Sequence, residues 1–312
     1  MPADPELRLS VGLPQLLHQV GPDGLARYAE RAEELGFAGL WTLESSLGGG
    51  TAHAPVVDGL ATLAFAAAVT RRVRLGIAVI VLPRRNPLQL ARELASLDVL
   101  SGGRLIVGVG VGGADPGLEQ LDLPVGRRGR RTAEGVEVLR ALWANGDGSY
   151  QGELYRFAGV RAEPKPVQRP GPPVWFGGSQ PAALRRAARL GDGWIGGGAS
   201  STEDFVDTAA LMHQALRAAR RDPGEFAIAK RAYISVAETE REARIRLAAV
   251  LDPMYGAPGM AERCGVCGPP EQCAEEVRRL HAAGAHEVVL TPLQAPLAQL
   301  EELARVAELA RR

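Results

Sequence analysis

Strand-like and helix-like segments alternate along this chain from end to end. That alternation admits few folds, because a strand followed by a helix and then another strand calls for parallel pairing, with the helices covering the sheet. Eight segments read as strands, at residues 8–13, 37–43, 73–82, 104–109, 173–176, 193–196, 228–236 and 286–291. Two of them, V-R-L-G-I-A-V-I-V-L and R-L-I-V-G-V-G, are near-continuous apolar runs, the pattern of a strand covered on both faces. The intervening segments carry helix punctuation. Asp23 reads as a cap for apolar positions Leu25, Tyr28, Ala29, Ala32 and Leu35, with Gly36 closing the helix. Asn86-Pro87 reads as an N-cap and first turn, Leu90, Leu94 and Leu97 form one stripe, and Gly102-Gly103 ends it. Pro181 opens a further helix that Gly191 terminates. Eight such units in 312 residues predict a single α/β domain over 1–312. Its expected form is a (β/α)8 TIM barrel with an insertion after strand four, at about residues 112–172. An open doubly wound sheet usually needs only five or six strands.

Composition narrows the function classes. Lys+Arg 36 against Asp+Glu 36 gives zero formal net charge, hence no electrostatic reason to expect nucleic acid or an anionic membrane as partner. No apolar run approaches the ~18 residues of a bilayer span, and the opening M-P-A-D-P-E-L-R-L-S is unlike a signal peptide. The expectation is a cytoplasmic protein acting on a small molecule. Cys264, Cys267 and Cys273 fall in C-G-V-C-G-P-P-E-Q-C. A closed structural zinc site needs four ligands, and the nearest His, His281, stands at an unusual spacing. They read as incidental thiols, and no metal is expected.

Glycines carry the informative motifs. Gly108-x-Gly110-x-x-Gly113 follows a strand, but a dinucleotide fingerprint would open a long helix directly, whereas Ala114-Asp115-Pro116-Gly117 intervenes. We read it as a glycine-lined wall for a ligand, against plain turn chemistry as the alternative. In Val174-Trp175-Phe176-Gly177-Gly178-Ser179-Gln180-Pro181 a strand delivers two glycines and a capping hydroxyl to a helix start. Open amides there suit an anion such as phosphate, the alternative being an ordinary cap. A nucleophile elbow is excluded because Gly177-Gly178-Ser179-Gln180-Pro181 lacks its final glycine, and a zincin because His286-Glu287-Val288-Val289-Leu290 lacks its second His. Arg127, Arg128, Arg130 and Arg131, followed by Glu134 and Glu137, read as a solvated helix face. Glu44 ends the second strand on the rim where barrel chemistry occurs, either as a proton-handling carboxylate or as a loop residue in water.

Taken together these segments resemble the luciferase-like monooxygenase family of flavin- or deazaflavin-dependent barrel oxidoreductases. The stretches that carry the likeness are A-E-R-A-E-E-L-G-F-A-G-L-W, the run from Val73 through R-N-P and S-G-G-R-L to Gly112, the G-G-S turn, G-D-G-W and the terminal E-V-V-L-T-P-L. The resemblance implies a cofactor ring at the C-terminal mouth and commonly a homodimer. It implies a third-strand bulge with a non-prolyl cis peptide at Ala78-Val79, cofactor-lining residues at Val111, Gly112 and Gly113, and a phosphate held at Gly177, Gly178 and Ser179. This chain departs from the family at two places. Glu44 is followed by Ser45 where relatives often carry His, and Gly113 stands where some deazaflavin-dependent sugar-phosphate dehydrogenases carry Glu. The expected activity is hydride transfer with coenzyme F420. Reduced FMN with oxygen, as a monooxygenase, and a non-catalytic ligand-binding barrel are the alternatives.

Overall fold

The structure is a computed structural model that describes residues 6–16, 20–44, 56–113, 118, 121, 123 and 125–312. Its strands are β1 (Arg8–Gly12), β2 (Gly39–Thr42), β3 (Arg74–Val81), β4 (Leu105–Gly110), β5 (Gly148–Gln151), β6 (Arg156–Val160), β7 (Val174–Gly177), β8 (Gly193–Gly196), β9 (Ala227–Val236), β10 (Gly265–Gly268) and β11 (Glu287–Pro292). Eight of them pair in parallel in the order β1-β2-β3-β4-β7-β8-β9-β11, and β11 returns to β1, so the sheet closes into a ring. These eight coincide with the eight segments read from the sequence. Around them lie α1 (Gly21–Glu34), α2 (Gly59–Val69), α3 (Pro87–Ser101), α4 (Val125–Trp143), α5 (Pro181–Leu190), α6 (Thr202–Ala218), α7 (Glu240–Tyr255), α8 (Met260–Cys264), α9 (Pro270–Ala282) and α10 (Pro296–Ala310).

Local chemistry accounts for the helix ends. The Asn86 side chain accepts from the amides of Leu88 and Gln89, and Gly102 closes α3 at φ 67°, a conformation that costs glycine little. Asp23, read as a cap, lies inside the first turn instead; α1 starts at Gly21 behind Val20 and has no side-chain cap, and Pro22 occupies its first turn. There the acidic residue favours the positive end of the helix dipole without capping it.

The expected insertion divides into two parts. Helix α4 packs against α3 and α5 as an ordinary barrel helix, and the true addition is the β5–β6 hairpin on its outer side. Glu134 is buried and accepts from the amide of Leu154, and Glu137 accepts from the Tyr150 hydroxyl at 2.6 Å. The helix face read as solvated is therefore partly covered by the hairpin. A second excursion, α7-α8-β10, went unread; β10 pairs in parallel with residues 233–236 of β9.

Inside the ring, Trp41, Ile106, Trp175, Ile195, Ala229 and Val289 fill the lumen, the two indoles 5.2 Å apart. Each buried Trp removes roughly 200 Å² from water, about 5 kcal/mol of transfer free energy. Glycines on neighbouring strands make the room: a Cβ on Gly76 would lie 2.3 Å from the Trp41 ring, and one on Gly193 2.6 Å from Trp175. Beneath them, Glu287 accepts from the Ser10 hydroxyl (2.6 Å), the Trp41 indole (2.9 Å) and Arg74 (2.6 Å). The lumen is thus a packed plug, and ligand space lies at the C-terminal mouth.

Candidate active site

At the mouth, β3 breaks register with β4 between Ile77 and Ile80, and the Ala78-Val79 peptide is cis. The displaced Val79 side chain fills space that three glycines leave open. A Cβ on Gly108, Gly110 or Gly177 would stand 3.2, 2.7 or 3.1 Å from a Val79 methyl, and the one on Gly108 only 2.1 Å from the Ile77 carbonyl oxygen. Gly108 and Gly110 thus accommodate the neighbouring bulge, which replaces the ligand-wall reading of those two positions. Ala78, Val79 and Gly177 remain partly exposed, so together they form a small apolar platform open to the mouth.

The β4 rim follows. Val111 and Gly112 are partly exposed, Gly112 with φ 73°, and Gly113 is exposed with open space where a Cβ would be. Arg128 holds this turn: it donates to the carbonyls of Gly113 (3.1 Å) and Leu123 (3.0 Å) and is 5% exposed. Placing it on a solvated face was therefore incorrect, because the side chain is buried and two of its donors find the carbonyls of the rim.

Glu44 is fully engaged. It accepts from Arg85 Nε at 2.9 Å and Nη2 at 2.5 Å, and from the Val81 amide, which ties the end of β2 to the end of β3. That bond set suits a brace between two rim segments. Ser45 and the loop 46–55, expected to help shape the substrate pocket, lie outside the described residues.

A cavity of about 460 Å³ opens between the β7–α5 turn and the loop after β8, lined by Gly178, Ser179, Gly197, Ser200, Thr208 and Arg263 among others. Gly178 has φ 107°, and the N-cap of α5 is Gln180, whose side chain makes no capping bond. Ser179, read as the capping hydroxyl, is exposed on the cavity instead. By contrast α6 is closed by its own capping box, Ser201 with Asp204.

Two basic residues on β9 were not singled out from the sequence, and both end at this region. Lys230 is 2% exposed and donates to the carbonyls of Gly197 and Ser200 and to the Ser200 hydroxyl, the last two at 2.7 Å. Burial, aided by the adjacent Arg231 charge, brings its ammonium down to about 7. No carboxylate pairs with it among the described residues. Arg231 faces the other way, into the lumen, donating to the Ala78 carbonyl (3.3 Å) and to the Tyr233 hydroxyl (2.9 Å). The available signal was a Lys-Arg pair inside A-I-A-K-R-A-Y-I-S-V, a strand otherwise apolar enough to be buried.

The thiols stand apart from this chemistry. All three are free and buried, and burial pushes Cys267 to about 11 and Cys273 to about 12, so neither is a reactive thiolate near neutrality. Among the described residues no cluster of His, Cys, Asp and Glu is placed to hold a metal.

The mouth thus fits a planar group with a phosphate tail: an apolar platform, the glycine turn before a ten-residue helix that has no side-chain cap, two serine hydroxyls and a buried ammonium behind the loop. A model of the family described as luciferase-like monooxygenase matches residues 9–259. The chain belongs to that family. Among its luciferase-like relatives, an uncharacterized protein of Mycobacterium tuberculosis is 38% identical over 167 residues, 53% of this chain and 58% of that protein. An F420-dependent glucose-6-phosphate dehydrogenase of Amycolatopsis mediterranei is 32% identical over 208 residues (64% and 60%). An FMNH2-dependent dimethylsulfone monooxygenase of Pseudomonas putida is 31% identical over 175 residues (53% and 46%). The chain thus aligns with about half the length of these curated relatives. Among solved structures, monooxygenase RslO1 from Streptomyces bottropensis superimposes with TM-score 0.78 at 26% identity, covering 97% of both chains. An F420-dependent secondary alcohol dehydrogenase, solved with an F420–acetone adduct, reaches 0.84 at 20% identity, covering 98% of this chain and 100% of that one, a likeness of fold.

Proposed function

We propose that this luciferase-like barrel is a coenzyme F420-dependent oxidoreductase that moves hydride to or from a small organic substrate. The observation that carries the reading is the cavity of about 460 Å³ at Gly178, Ser179 and Ser200, roomy enough for a phosphate and its attached chain, with Lys230 buried behind it, beside the Ala78-Val79 platform. In this reading the turn and the Ser200 hydroxyl hold the phosphate, Lys230 fixes the Gly197–Ser200 loop behind it through its three donors and lends its charge, the platform backs the ring, and Arg128 keeps the Val111–Gly113 rim in place. The deazaflavin, when bound, supplies the two-electron chemistry, and the protein supplies placement. Support for F420 over FMN comes from the dehydrogenase relative, the more similar of the two relatives named for a cofactor. The FMNH2-dependent monooxygenase relative supports reduced FMN as the second reading, and the RslO1 likeness supports its monooxygenase chemistry.

We further propose that the protein works as a cytoplasmic homodimer. No helix among the described residues is long and apolar enough to cross a membrane. Leu100, 73% exposed, borders a groove of about 560 Å³ that residues of α2 and α3 line, a surface suited to a second copy.

Titration of the purified protein with F420 and with FMN, followed by cofactor fluorescence and absorbance, tests the reading. F420 is expected to bind tighter, and Gly178→Asp to weaken it more than tenfold, since it adds a negative charge at the anion turn and puts a Cβ 3.0 Å from that of Ala183 on a backbone at positive φ. Tight binding of FMN alone would move the assignment to the second reading. Indifference to both would leave a barrel for some other ligand.

A further inference from the structure

Among the described residues, Arg231 is a cation whose hydrogen bond reaches across the barrel lumen. Its strand, β9, lies opposite β3 in the ring, four neighbours away in either direction. The bond from its Nη1 to the Ala78 carbonyl therefore spans the lumen, and the guanidinium lies across the top of the plug as the floor of the mouth. Its Nη2 is held by the Tyr233 hydroxyl, which meets the Tyr255 hydroxyl of α7 at 2.9 Å, and its carbon lies 5.1 Å from the Tyr233 ring centroid. Its Nε is buried without a bond partner among the described residues.

The charge balance is what makes this group unusual. A guanidinium carries five N–H donors and stays protonated at every working pH. Two of those donors go to neutral oxygens, and no carboxylate among the described residues pairs with the group. Among the described residues, the ionisable groups that interact with it are another cation, Lys230, and two phenols, Tyr233 and Tyr255. Holding an uncompensated charge at the edge of a low-dielectric plug is costly unless a ligand completes it. A purely structural plug needs no charge there, since an aliphatic side chain fills the same volume. A neutral carbonyl would accept a hydrogen bond but leave the charge unbalanced, whereas an oxyanion provides both, and the two terminal nitrogens suit it geometrically.

We propose that Arg231 selects a substrate bearing an anionic oxygen group, a carboxylate in the simplest case, by binding it at the floor of the mouth. The proposal rests on the mouth being the reaction site and not on which cofactor serves it. Arg231 acts as a specificity residue, and Tyr233, braced by Tyr255, positions it.

The test measures binding, not turnover. Isothermal titration of the full chain, with and without its oxidised cofactor, compares acetate with acetamide, butyrate with butyramide and benzoate with benzamide. At least one acid is expected to bind ten times tighter than its amide. Arg231→Met abolishes that preference, Arg231→Lys keeps part of it, and Tyr233→Phe reduces it severalfold with the melting temperature nearly unchanged. Absence of preference in the wild type, from equal binding or from none, overturns the proposal, as does a preference that survives Arg231→Met. Should Arg231→Met not fold, Arg231→Lys and Tyr233→Phe decide, and an unaltered preference in both overturns it. Titrating the cofactor itself, oxidised and reduced, into wild type and Arg231→Met completes the test: a loss confined to affinity for the reduced cofactor, with acids and amides bound alike, would give the charge to the ring and also overturn the proposal. Acid preference without binding of either cofactor would sink the cofactor reading alone.

Discussion

The two ends of the barrel lumen treat charge in opposite ways. At the N-terminal end, Glu287 is 2% exposed and meets Arg74, the Trp41 indole and the Ser10 hydroxyl, so both its oxygens and its charge are satisfied. At the mouth, Lys230 and Arg231 stand consecutively on β9 and donate only to carbonyls and hydroxyls. Both ends belong to one ring of strands, so the barrel itself does not account for the difference. Where the charge serves the fold, its counter-charge is built in. Where it serves a ligand, the counter-charge arrives with the ligand.

The comparison breaks most visibly at Glu287. Glu287→Gln keeps the shape but turns one acceptor into a donor, which then faces Arg74, Trp41 or Ser10, and it leaves Arg74 without its partner. Losing a partner in a buried pair costs about 3–5 kcal/mol, and because the Arg74 side chain is 27% exposed we expect about 3. Urea denaturation checks this, with cofactor affinity expected to stay nearly constant in the folded variant. A loss under about 1 kcal/mol would mean that the paired end is no stability device.

Lys230 sharpens the contrast through pH. Its ammonium titrates near 7 when folded and near 10.5 in a free chain. Between those values the unfolded state binds the extra proton, so stability rises with pH, and below about 7 the contribution is flat. From pH 7 to pH 9 the wild type should gain roughly 1–2 kcal/mol relative to Lys230→Met. Paired urea titrations at the two pH values measure that difference. Saturating inorganic phosphate should shrink it, because an anion in the cavity raises the lysine back toward its ordinary value. Identical slopes in both proteins would mean that burial does not perturb Lys230, and a slope difference that phosphate leaves unchanged would remove Lys230 from the anion site.

The ring itself was legible because its strands are apolar runs between glycine and proline punctuation, as in the run from Val73 to Leu82 or the Asn86-Pro87 helix start. The hairpin and β10 were not. G-V-C-G is four residues long, too short for a period, and it sits within a cysteine spacing that suggests other chemistry. The turn at Gly177-Gly178-Ser179 is legible from the order of residues, a strand, two glycines, a hydroxyl and a helix-opening proline, although the hydroxyl is left exposed on the cavity and the cap falls on Gln180. Gly108 and Gly110 were visible as unusual, but the reason for them, a bulge on the adjacent strand, is a contact between segments some thirty residues apart. Lys230 and Arg231 show the same limit most sharply. Two charges in a buried strand are conspicuous, yet only the closed ring reveals that one faces a loop and the other the lumen.

Glu44 supplies the smallest and most discriminating effect. It is the one carboxylate at the mouth read as a proton handler, yet it is paired in the manner of the opposite end, its side chain 8% exposed against Arg85 at 30%. If pairing marks a structural role, Glu44→Gln should cost about 1 kcal/mol of stability, since the amide oxygen can keep one of the acceptor bonds to Val81 or Arg85 while the charge is lost. Turnover, once a substrate is in hand, should stay within about threefold, and its pH profile should not move. A variant that folds normally but loses turnover a hundredfold would show that a fully paired carboxylate can still serve the reaction. Pairing would then cease to separate the two ends of the barrel, and the open charges of Lys230 and Arg231 would need a different explanation.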